Sequence, residues 1–161
     1  MIGRYVRRQL EAIAVDPFLW IYGVCLSLVL TLTATLWLVY DLEAWLAPGA
    51  HALCWPMLPD CRALRVLGPT ALRGVFVLVA VGSLGTALAF WYRRVALAWL
   101  CLLALNVLKH GVILLDYRMR LNQHIMAFLV TLAFLFLPNK RQTLPLLLVL
   151  FYFWAGVLKL T

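Results

Sequence analysis

Two lysines and two histidines, Lys109, Lys159, His110 and His124, stand inside or at the ends of long apolar runs of this chain. An ionisable side chain is costly in such surroundings, so each is a functional candidate unless packing accounts for it. In "NVLKHGVILLDY", Asn106, Lys109, His110 and Tyr117 recur at helical spacing with Asp116 close by, forming one polar stripe. Between helices such a stripe lines a wet cavity or ligand pocket, with Asn106, Lys109 and His110 as its binding groups. The competing reading has Lys109 snorkelling outward and Asn106 bonding a neighbouring helix, since Lys109 lies only about 10 Å below Asp116. In "FYFWAGVLKL", Tyr152, Gly156 and Lys159 share a helix face, and Ala155-Gly156 lets a helix or a flat ligand approach the backbone. A lysine packed on that face loses solvation and becomes a usable base, whereas one facing lipid snorkels and does no chemistry. Asn122, Gln123 and His124 open the apolar run before it.

The four cysteines divide into two kinds. Cys25 and Cys101 fall within apolar runs and read as core residues. Cys54 and Cys61 flank "WPMLPD" in a polar, proline-rich stretch. There they either form a disulfide that staples a small loop, if that stretch faces an oxidising compartment, or stay free. Neither a redox C-x-x-C nor a metal-ligand spacing occurs, so no metal is expected, and His51 reads as a loop residue.

These groups need elements to hold them, and composition says what kind. The chain has 161 residues, of which 66% are hydrophobic and 12% charged. A soluble domain carries roughly 25% charge and under 50% apolar residues. The expected fold class is all-α, a polytopic membrane helix bundle. Five spans fit, at residues 17–40, 71–92, 95–115, 123–137 and 143–160, behind a basic amphipathic lead-in at 1–16 and with a large loop at 41–70. Asp16-Pro17 is the expected N-cap and first helical residue of the first span. The net charge of +8 is spread in twos and threes between the runs, as in Arg7-Arg8, Arg93-Arg94 and Lys140-Arg141. That distribution suits lipid headgroups and topology signals, and argues against a nucleic-acid partner. With the N-terminus inside, seven basic residues flank the inner side against six on the outer one. The large loop, the "DYRMRLNQH" turn and the end of the fifth span then share the outer side. No inverted repeat marks a transporter.

The stretch "YRR…LLDYRMRLNQHIMAFL…FYFWAGVLKL" resembles the vitamin K-dependent γ-glutamyl carboxylase and the related bacterial horizontally transferred transmembrane domain (HTTM) family. The matching residues are Leu114-Leu115-Asp116, Asn122-Gln123-His124 and Tyr152 through Leu160, with Gln123 standing where the enzyme has a second Asn. The resemblance implies a quinol as ligand, Lys159 as the base that deprotonates it and His124 in support. For a chain stopping at Thr161, the expected role is a non-enzymatic helix-bundle subunit held among other membrane proteins in a bacterial inner membrane. The alternative is a cut-down carboxylase-like enzyme that binds a quinol, with Lys159 as base.

Overall fold

The computed structural model describes residues 2–41, 69–115 and 122–160, with side chains for 3–39, 70–114 and 124–153. The described chain is helical: α1 Ile2–Val15, α2 Pro17–Leu36, α3 Pro69–Trp91, α4 Val95–Leu115, α5 Asn122–Phe136 and α6 Lys140–Leu160. A π-helical turn, Trp37–Asp41, prolongs α2. Three segments are long and apolar enough to cross a membrane, Pro17–Val39, Thr70–Trp91 and Val95–Leu114, and His124–Phe136 is a shorter apolar helix. The architecture is that of a helical membrane bundle.

The breaks between helices have local causes. The residue before a proline is pushed out of the helical region, and Asp16 sits at φ −88°, ψ 112°, ending α1. The same Asp16 then caps α2, its carboxylate accepting from the Phe18 amide at 3.0 Å, with Pro17 in the first turn. At the end of α3, Arg93 takes the left-handed conformation at φ 60°. Its N–H donates to the Phe90 carbonyl at 2.9 Å and that of Arg94 to Ala89 at 2.8 Å, a left-handed C-cap that turns the chain into α4. The Arg93 guanidinium lies 4.0 Å from the centre of the Trp20 ring, a cation–π contact. Asn139, at φ 53°, makes the turn from α5 into α6.

Neighbours pack up and down. Gly23 of α2 faces Phe90 of α3, Thr31 faces Ser83, and Trp37 faces Phe76, an antiparallel register. A Cβ on Gly23 would lie 2.9 Å from the Phe90 ring, and the Thr31 and Ser83 hydroxyls meet at 2.8 Å. Small side chains and one hydroxyl pair therefore bring α2 and α3 close, as membrane helices do where apolar burial gives no preference over lipid. Gly82 of α3 receives the Leu105 side chain of α4, and Trp99 of α4 donates to the Leu135 carbonyl of α5 at 3.2 Å. Helix α1 adds Ile13 to the core.

Some sequence expectations shift. Helix α6 starts at Lys140 and takes Pro145 into its interior, so it is longer than the expected 143–160. Cys25 is exposed on α2 and is not a core residue, because the packed face of that helix runs through Leu19, Gly23, Ser27 and Leu30. Cys101 is half-buried. Cys54, Cys61 and His51 lie outside the described residues.

Candidate functional site

At the end of the bundle away from α1, polar side chains from α2, α4 and α5 meet aromatic ones from the π-helical turn and α5. Helical spacing puts Asn106, Lys109 and His110 of α4 on its inner side. Asn106 is 3% and Lys109 2% exposed, so the lysine turns into the bundle and does not snorkel. Lys109 Nζ donates to Thr33 Oγ1 of α2 at 2.8 Å and lies 5.6 Å from the centre of the Trp37 ring. The π-helical turn begins with Trp37, which is buried edge-on against Phe76 at 5.0 Å and against His124 of α5 at 4.4 Å. His124 is 2% exposed. His110 stacks on Phe128 of α5 at 3.7 Å between ring centres.

The hydrogen-bonding state of this cluster is uneven. His110 Nδ1 lies 2.9 Å from the Asn106 carbonyl. A carbonyl only accepts, so Nδ1 bears the hydrogen and the Nε2 of a neutral ring is a bare acceptor. That Nε2, Asn106 Nδ2 and both ring nitrogens of His124 are buried without a hydrogen-bond partner. Each such group costs about 1–3 kcal/mol unless something bonds it. Among the described residues no carboxylate forms an ion pair with Lys109, the pairs there being Arg7–Glu11 and Arg141–Asp16. The cluster thus presents donors from Asn106 and Lys109, an acceptor at His110 and a donor–acceptor ring at His124. Aromatic faces bound it. No group of three His, Cys, Asp or Glu side chains able to hold a metal occurs among the described residues.

The structure brings together Asn106, Lys109, His110 and His124. Tyr152 is elsewhere, 75% exposed on α6. Gly156 and Lys159 belong to α6 and Asn122 opens α5, but their side chains lie outside the described ones. Thr33, Trp37 and Phe128 were not singled out from sequence. Thr33 of α2 and Trp37 of the π-helical turn that prolongs it do stand four residues apart, the one signal that could have found them. No family model, curated protein or solved structure matches the chain.

Proposed function

We propose that the chain is a carboxylase-like membrane protein of the HTTM type, a five-span bundle with its N-terminus inside a bacterial inner membrane. Its outer end binds a flat, lipid-soluble ligand with oxygen functions, a quinol. The observation that supports this is the group of unpartnered buried polar atoms around Lys109. In this reading Asn106 and Lys109 donate to a ligand oxygen, His110 Nε2 accepts from a ligand hydroxyl, and Trp37 and Phe128 confine the ring. Lys159 is the base and His124 its support by resemblance, with Asn122 and Gly156 beside them, while Tyr152 is exposed on α6 and takes no part. Reduced menadione, added to detergent-purified protein and followed by tryptophan fluorescence, tests it. Saturable quenching is expected in the wild type, weakened about tenfold or more by Lys109→Met or Lys159→Ala, the loss of a buried charge-assisted hydrogen bond. No saturable quenching in the wild type, or quenching untouched by both substitutions, refutes the reading.

A second reading is a non-enzymatic subunit of a larger membrane complex. It is favoured by α6, which packs mainly on α5 and turns Leu146, Val149, Tyr152 and Phe153 outward. Purification in mild detergent would then return constant partner subunits. A stable, homogeneous monomer that binds the quinol excludes it.

A further inference from the structure

The opposite end of the bundle carries a separate feature, with no part in the ligand reading. Helix α1 reaches three helix ends in succession. The Tyr5 hydroxyl donates to the carbonyl of Phe136, the last residue of α5. The Gln9 side-chain carbonyl accepts from Lys140, the first residue of α6. The Ala14 carbonyl accepts from Arg93, just past α3, at 3.3 Å. Helix α1 therefore runs across the bundle end, not along its side. With α2, α3 and α4 crossing a membrane, α1 lies in the plane of the lipid headgroups.

Its inward face holds Gln9 and Ile13, and its outward face exposes Arg4, Arg7, Arg8 and Glu11. Arg7 pairs with Glu11 at 2.9 Å, and Arg141 pairs with Asp16 at 2.6 Å. Arg93 is spent on Trp20 and Ala14, and Lys140 is buried. Arg4, Arg8 and Arg94 remain exposed with no carboxylate pair among the described residues. Arg4 and Arg8 stand one turn apart on one face of α1. Exposed aromatic residues at the same end, Trp91, Tyr92, Phe18 and Tyr5, fit the headgroup region.

We infer that α1 and the turn between α3 and α4 form a binding surface for anionic phospholipid, with Arg4, Arg8 and Arg94 holding phosphodiester oxygens of the headgroups. Guanidinium groups suit this because they bond phosphate through two parallel N–H groups and stay charged. The test compares full-length protein in nanodiscs of phosphatidylcholine with and without phosphatidylglycerol, counting by native mass spectrometry the lipids kept on release. Wild type should keep anionic over zwitterionic lipid by roughly tenfold or more, from about 1 kcal/mol for each of three basic residues. Sodium chloride at about 0.5 M should largely remove that preference. The triple variant Arg4→Gln, Arg8→Gln, Arg94→Gln should lose it, and the matching Lys variant should keep part of it. Absence of the preference in wild type, its persistence in the Gln triple, or its indifference to salt overturns the inference. Soluble glycerol phosphate that displaces the lipid at millimolar concentration also overturns it, since the site would then be one for a free phosphate.

Discussion

Lys109 is the side chain on which most depends. Its described polar partner is the Thr33 hydroxyl, which itself donates to the Leu30 carbonyl at 3.1 Å. Removing the amine leaves that hydroxyl still bonded. Lys109→Met should therefore stabilise the ligand-free bundle by on the order of 1 kcal/mol, seen as a raised Tm in detergent, because a buried charge without a counter-charge is relieved. The same variant should lose ligand binding. A lowered Tm would mean that the amine holds α2 to α4 as structure. The stripe of Asn106, Lys109 and His110 was legible from spacing alone. Its direction was not, since whether a lysine turns to lipid or inward depends on how α4 is rotated against α2. Thr33, Trp37 and Phe128 stayed hidden for the same reason: one Trp or Phe among many gains meaning only from its neighbours in space.

At the level of elements, the close contact of α2 with α3 rests on Gly23. Gly23→Ala puts a methyl group 2.9 Å from the Phe90 ring, which is packed at 0% exposure and has nowhere simple to go. Destabilisation of about 1–3 kcal/mol is expected, measured by unfolding in mixed detergent, and partly recovered by adding Phe90→Leu. Gly85→Ala is the control, since a Cβ there meets nothing within 4 Å. It should be neutral or stabilising by up to about 1 kcal/mol. Helix boundaries followed sequence where proline or paired charges punctuate the chain, at Asp16-Pro17, Arg93-Arg94 and Pro138-Asn139. Helix α6 begins before the expected residue 143 and carries Pro145 in its interior. Asn139 opens the helix, its carbonyl accepting from Thr143 at 3.1 Å. The amphipathic lead-in was visible as a pattern, but its docking across the bundle end was not, because Gln9, Tyr5 and Ala14 carry no special signal.

For the molecule as a whole, stability should depend on pH through the junction of α1, α2 and α6. Burial lowers Lys140 from 10.5 to about 8. The unfolded chain keeps the ordinary value, so between about pH 8 and pH 10.5 it binds more protons than the native protein. Stability then rises with pH across that window and is at its lowest below it. The Arg141 hydrogen bond holds Asp16 below its ordinary value, so its contribution is present above the usual carboxylate range and fades as pH falls through the native value. Thermal unfolding should thus give a higher Tm at about pH 9.5 than at about pH 7.5, and Lys140→Met should flatten that rise. Asp16→Asn should remove the loss on acidification.

The bond between Lys109 and Thr33 also bears on biogenesis. A lysine inside a helix disfavours insertion by a few kcal/mol, and α4 carries one in its last third with a histidine next to it. Because α2 precedes α4 along the chain, the hydroxyl that receives this amine is made before the helix that carries it.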